Sequence, residues 1–283
     1  MRKYENKVLV NGHEMNVFCT GTGEKAIVFL AGAGVTSPVL EYKPLWEKLA
    51  DRYRIAVVEK AGYGYSQGNT GASRDIRTMV EESREALAKA GVAPPYCLAP
   101  HSYSGLEAIW WASQYPQEIA GILGIDMVTP PLALMQSKVY TAEKKAKMME
   151  KQQRLLRPAQ KSKFLQRIYK KLFCSSVLVL KSDCLNDEER EEYGRLYFAN
   201  VCNTEFRDEQ AMSTENAQLA AQADLHGVAG IMFISDMNMR MKETTWKGEN
   251  TAYAQKQGWQ VYDAPSHQLY AEQAEEIAKR VNW

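Results

Sequence analysis

The stretch YCLAPHSYSG, Tyr96–Gly105, decides how the rest of the chain is read. Its first half is continuously apolar, as a strand buried on both faces must be, and its second half is a tight turn that runs into the helical spacing of Leu106–Tyr115. A serine in such a strand-to-helix turn projects its hydroxyl at the carboxyl edge of a sheet. The cramped backbone there admits only small residues two places to either side. Ser102 has Pro100 and Ser104 in those places, whereas Ser104 would have Ser102 and the bulky Leu106. Ser102 is therefore the candidate nucleophile.

Outward from this turn the same rhythm repeats. AIVFL (Ala26–Leu30) runs into AGAG, RIAVVE (Arg54–Glu59) into KAGYGYSQG, and ILGID (Ile122–Asp126) into Pro130 and Pro131. After them come GIMFIS (Gly230–Ser235) and GWQVYDA (Gly258–Ala264), and Lys7–Cys19 reads as a β-hairpin turning at Gly12. Helical spacing fills the gaps at Leu40–Leu49, at Ile76–Ala90 with Ser73 as N-cap and Gly91 after its end, and at Glu272–Val281. Strands alternating with helices predict an α/β fold with a mostly parallel central sheet flanked by helices. Between Leu132 and Leu225 the rhythm lapses into long polar helical segments. The expected organisation is a core of residues 1–131 and 226–283, with a helical lid, 132–225, inserted after the strand ending at Asp126.

With 45% apolar and 24% charged residues, the chain has the means to bury a core, which excludes disordered and collagen-like classes. A formal charge of +1 gives no case for a nucleic-acid binder. That neutrality conceals an asymmetry: Lys138–Lys171 holds twelve Lys or Arg and two Glu, net +10, which leaves the remainder near −9. Such a segment either attracts anionic substrate, lipid or partner, or is a solvated helical face. Met135, Met148, Met149, Phe164, Ile168 and Tyr169 within the insertion are candidates for an apolar pocket lining. Five widely spaced cysteines (Cys19, Cys97, Cys174, Cys184, Cys202) and four histidines without metal-ligand spacing point to neither a disulfide framework nor a metal site. The amino terminus lacks the apolar stretch of a signal peptide, and no window approaches the roughly 18 apolar residues that span a bilayer. A cytoplasmic protein without stable membrane insertion is expected.

Several segments taken together resemble the α/β-hydrolase fold family. PHSYSG stands where members carry GHSxGG, FLAGAG where they carry an HG turn after the third strand, and EKAGYGYSQ where they carry DxxGxGxS, with Glu59 for the aspartate. PSHQLYAEQAEEIA is similar to the terminal GH segment and its helix. These landmarks keep the family's order and span nearly the whole chain apart from the insertion.

The resemblance implies a serine hydrolase working through an acyl-enzyme. Ser102 would be the nucleophile, His267 the base that takes its proton, and the backbone N–H groups of Ala33 and Tyr103 the oxyanion donors. The acid that orients His267 has two candidates: Asp126, at the end of ILGID, is preferred over Asp236, because the usual GxxD register after IMFIS falls on Asn238. Serine at the nucleophile position argues against the haloalkane dehalogenases and epoxide hydrolases of the fold. No cofactor or metal is called for. A carboxylesterase for a small-molecule substrate is expected first, with a peptidase, thioesterase or lipid acylhydrolase behind it. The alternative from another class is a small-ligand receptor or regulatory protein on the same fold, since both elbow glycines are missing.

Overall fold

The computed structural model describes residues 3–173, 176–237 and 245–283. Among these, β1 (Lys7–Val10) and β2 (His13–Thr20) form the antiparallel hairpin, and β2 also pairs antiparallel with β4 (Arg54–Glu59). From β4 onward, β3 (Ala26–Leu30), β5 (Tyr96–Pro100), β6 (Ile119–Ile125), β7 (Gly230–Ser235) and β8 (Gln260–Ala264) pair in parallel. The order across the sheet is β1-β2-β4-β3-β5-β6-β7-β8. Every parallel strand thus delivers its carboxyl end to one edge, where loops of distant sequence meet.

Why the strands read as unbroken apolar runs is visible in the packing. Val28, Leu30 and Leu98 face one core cluster with α3 (Ile76–Lys89) and α4 (Ser104–Gln114), contributing among others Met79, Leu87, Ile109 and Trp111. Ile27, Phe29 and Cys97 face a second cluster built on α1 (Pro38–Glu41), α2 (Lys43–Leu49), α12 (Leu269–Glu272) and α13 (Ala274–Arg280). Successive residues of one strand serve opposite layers, so none can be polar.

Two local expectations differ. The helix expected over Leu40–Leu49 is interrupted at Tyr42, because Pro44 lacks an N–H and its ring opposes the carbonyl four residues back; the chain restarts as α2. The N-cap of α3 is Asp75, not Ser73: its carboxylate accepts from the N–H groups of Arg77 (3.0 Å) and Thr78 (3.1 Å), and Ser73 Oγ donates to it instead (2.7 Å). No disulfide joins Cys19, Cys97, Cys184 or Cys202; Cys174 lies outside the described residues.

Between β6 and β7 the chain carries α5 (Pro130–Val139), α6 (Ala142–Lys161), α7 (Lys163–Phe173), α8 (Asp187–Asn200), α9 (Thr204–Ala211) and α10 (Ser213–Ala220). The insertion is not uniformly peripheral. Leu132 and Ala133 of α5, with Ala217 and Ala220 of α10, belong to the first core cluster, and Tyr193 and Leu196 of α8 to the second, so these three helices pack as part of the core and α6, α7 and α9 form the outer layer. A third, small cluster of Met149, Leu156, Val201 and Cys202 holds that layer together. Among the described residues no helix is long and apolar enough to cross a membrane.

The turn after β4 explains the departure at Glu59. Its buried carboxylate accepts from Tyr65 N–H (2.7 Å), Asn16 Nδ2 (3.0 Å) and Val39 N–H (3.3 Å), and burial pushes its pKa up to about 7. The longer side chain fits because Gly64, at φ +52°, leaves the space open; a Cβ there would lie 2.0 Å from the Glu59 carboxyl. Gly64→Ala is accordingly expected to cost at least about 2 kcal/mol in a chemical denaturation midpoint, from strain at positive φ and from the clash together. An unchanged midpoint would show that the carboxylate is not what the turn is built around.

Candidate active site

The turn between β5 and α4 holds Ser102 at φ +55°, a left-handed conformation unusual for a residue with a Cβ. The surrounding backbone enforces it: Ser102 carbonyl accepts from Val128 N–H (2.8 Å) and Gly105 N–H (3.0 Å). Ser104, the other register considered, is fully buried, and its hydroxyl is taken up by Leu30 O (2.8 Å), His101 O (2.8 Å) and His101 N (3.0 Å). Ser102, by contrast, borders an open cavity of about 400 Å³.

His267, in the loop after β8, sets its Nδ1 2.7 Å from Asp126 Oδ2. Asp126 is fully buried at the end of β6, itself at φ +45°, and its carboxylate is saturated with donors. Oδ1 accepts from Ser235 N–H (2.8 Å) and Trp246 Nε1–H (2.8 Å), and Oδ2 from Ser235 Oγ–H (2.6 Å) as well as His267. Burial alone would raise this carboxyl, but the hydrogen bonds and charge of His267 and the donors of Ser235 hold it below its ordinary value. With Nδ1 given to Asp126, Nε2 is the ring nitrogen left for proton transfer. Asp236 is exposed and makes no such contact, and Asn238 lies outside the described residues.

His101, next to Ser102 in sequence, turns the other way. Its Nε2 lies 3.0 Å from the carbonyl oxygen of His267, which only accepts, so Nε2 carries the hydrogen and Nδ1 receives the Tyr42 hydroxyl (3.2 Å). Tyr42 Oη in turn accepts from Gly32 N–H (3.2 Å). Burial, reinforced by His267 nearby, lowers the His101 pKa to about 3, which keeps it neutral. One relay therefore ties the Gly32 loop to the His267 loop. Gly32 must be glycine for this approach, since a Cβ would sit 2.9 Å from both His101 Nδ1 and Ser102 Cβ.

Beside Gly32, the N–H groups of Ala33 and Tyr103 donate to no backbone carbonyl among the described residues. The loop is braced from below: Gly34 N–H donates to Tyr63 Oη (3.2 Å), Tyr63 hydroxyl to Glu209 Oε2 (2.6 Å), and Lys60 Nζ joins Glu209 (2.9 Å) to Glu107 on α4 (2.7 Å).

Of the insertion residues expected in a pocket, Met148 and Met149 line the Ser102 cavity. Met135 and Tyr169 instead pack against core clusters, while Phe164 (70%) and Ile168 (46%) are exposed, their face of α7 being covered by no element among the described residues. The sequence reading missed Ser235 and Trp246 as donors to Asp126, and Tyr42 as the link to Gly32. Only Ser235, at the strand end where the GxxD register begins, carried a local signal.

No family model matches the sequence. The chain is 33% identical over 237 residues to the uncharacterized protein YbdG of Bacillus subtilis, covering 82% of this chain and 70% of that one. Among solved structures it is similar to epoxide hydrolase VrEH1 from Vigna radiata, with TM-score 0.68, 14% identity and coverage of 97% and 95% of the two chains. It is also similar to a loop variant of haloalkane dehalogenase DbeA from Bradyrhizobium elkanii, with TM-score 0.58, 16% identity and coverage of 97% and 93%. At such identities the likeness establishes the architecture alone.

Proposed function

We propose that this chain, which belongs to one family with the uncharacterized protein YbdG of Bacillus subtilis and has the α/β-hydrolase fold, is a serine hydrolase, a carboxylesterase first of all, acting through an acyl-enzyme. The reading rests on one observation: a buried, donor-saturated Asp126 bound to His267 Nδ1 at 2.7 Å, at the sheet edge where Ser102 sits in a strained turn.

His267 Nε2 takes the Ser102 proton as Oγ attacks the carbonyl carbon, and Asp126 stabilises the imidazolium that forms. The negative charge on the former carbonyl oxygen is met by the N–H groups of Ala33 and Tyr103, preorganised by the Gly32–Tyr42–His101 relay. Collapse returns the proton from His267 to the leaving alkoxide. Water, activated by the same nitrogen, then frees the acid and Ser102. No step in this scheme needs a cofactor. The cavity of about 400 Å³, with Met148, Met149, Met237 and Trp246 in its walls, suits a short or medium apolar arm. A thioester or a small amide fits the same chemistry.

A fluorophosphonate probe tests the reading. The folded wild type is expected to be labelled and to hydrolyse p-nitrophenyl esters, and Ser102→Ala to do neither. A folded wild type that binds such esters but neither labels nor turns them over would sink the proposal in favour of a ligand receptor.

A further inference from the structure

The Ser102 cavity has one charged side chain in its described lining, and it is a cation. Lys145 enters from the first half of α6, with Nζ 5.4 Å from the centroid of the Tyr103 ring, the residue directly after Ser102. The one described hydrogen bond of Nζ is to Ser213 Oγ (2.6 Å), whose own proton goes to Gln210 O (2.7 Å). Two ammonium donors remain. Among the described residues no carboxylate forms an ion pair with Nζ within 4.0 Å.

Two more deeply buried lysines of this protein are treated differently. Lys43 is paired with Glu189 at 2.7 Å, and Lys60 with both Glu107 and Glu209. Among the described residues Lys145 alone of the basic lid segment reaches the cavity, whereas Lys147, two residues on, pairs with Glu143 outside. Desolvation, with no opposite charge to offset it, pushes the Lys145 ammonium below its ordinary pKa. A partly desolvated ammonium facing a mostly apolar pocket whose other described polar groups are all uncharged is unfavourable unless something else supplies the opposite charge.

We propose that Lys145 is a specificity-determining residue that receives a carboxylate, or a similarly small anionic group, on the substrate arm lying under α6, so that the preferred substrates are anionic esters. This rests on the serine-hydrolase reading above.

Two matched pairs of esters test it: p-nitrophenyl butyrate against p-nitrophenyl hemiglutarate for the acyl arm, and phenyl butyrate against the butyrate ester of 4-hydroxybenzoate for the alcohol arm. Wild type, Lys145→Met, which keeps the aliphatic stem, and Lys145→Arg, which keeps the charge, are compared by the anionic-to-neutral ratio of kcat/KM. In one pair this ratio is expected to fall roughly tenfold or more in Lys145→Met and to stay within about threefold of wild type in Lys145→Arg. Ratios that match between wild type and Lys145→Met in both pairs overturn the proposal. If the wild type hydrolyses none of the esters, the serine-hydrolase reading fails by itself, and the intact esters become binding probes. Calorimetry then decides: roughly tenfold weaker binding of one anionic ester, but not of its neutral match, by Lys145→Met supports the anion site, and equal binding overturns it.

Discussion

Asn in place of Asp126 is expected to lower kcat by about 10⁴ while the fold survives, because the substitution reverses the tautomer of His267. The carboxylate serves four donors. Two of them, Ser235 N–H and Trp246 Nε1–H, converge on Oδ1 and have no alternative role there. An amide at residue 126 must therefore point its oxygen at that pair and its NH2 at the position of Oδ2. Ser235 Oγ can rotate and accept; His267 Nδ1 must lose its hydrogen to do so. The ring's hydrogen then moves to Nε2, which can no longer take a proton from Ser102. Asparagine tolerates the left-handed backbone at φ +45°, so the geometry is preserved while the chemistry is lost. The measurement is kcat on a p-nitrophenyl ester beside circular dichroism, with Asp236→Asn as comparison. Asp236 is exposed, and its replacement is expected to leave kcat within about twofold. Collapse with Asp236→Asn and near-normal turnover with Asp126→Asn would reverse the assignment.

These donors also mark how far the sequence could be read. A strand buried on both faces must be apolar throughout, and an elbow must have small flanking residues, so β3, β5 and the turn at Ser102 are constrained one residue at a time and leave local traces. The order of those traces carries the topology of the sheet. Asp126 and Asp236 leave identical traces, each an aspartate at a strand end. What separates them is three-dimensional: β7 lies between β6 and β8, and the short Ser235 side chain at its end lets Asp126 reach across to His267 while contributing two donors of its own. Trp246 completes the set from α11 (Trp246–Lys256), 120 residues away, a pairing with no periodic signature. In the insertion, charge was legible but direction was not. Of the twelve basic residues from Lys138 to Lys171, the packing of α6 against α9 and the bond from Lys145 Nζ to Ser213 at the start of α10 turn Lys145 toward the Ser102 cavity, and composition is blind to that.

The same blindness covers Lys60, which the sequence presents as an ordinary turn lysine and the fold buries completely between Glu107 and Glu209. Lys60→Met is expected to destabilise the protein by about 3–5 kcal/mol, because it leaves two carboxylates buried without a cation. The deficit should depend on pH, and its sign follows from Glu107. Burial, opposed by Lys60 and reinforced by the neighbouring Glu209, raises that carboxyl from 4.5 to about 7. Between those values the folded state holds more protons than the unfolded chain, so the contribution of Glu107 to stability is greatest below pH 4.5 and is lost as pH rises through 7. Without Lys60 the carboxyl climbs further, and the loss extends to higher pH. Urea denaturation at pH 5 and pH 8 should therefore find wild type and Lys60→Met closer together at pH 5 and far apart at pH 8. Adding Glu107→Gln to Lys60→Met should recover part of the deficit at pH 8, since it removes one of the stranded charges. A gap independent of pH, or a double variant weaker than the single one, would mean that Lys60 contributes through packing and not through its charge. In the first case, where charge governs, the consequence reaches the site: Glu209 is also the acceptor for Tyr63, which holds Gly34 beside Ala33. Loosening this triad is then expected to lower kcat more than it raises KM, because the donors it steadies are needed in the transition state and not for binding the ester.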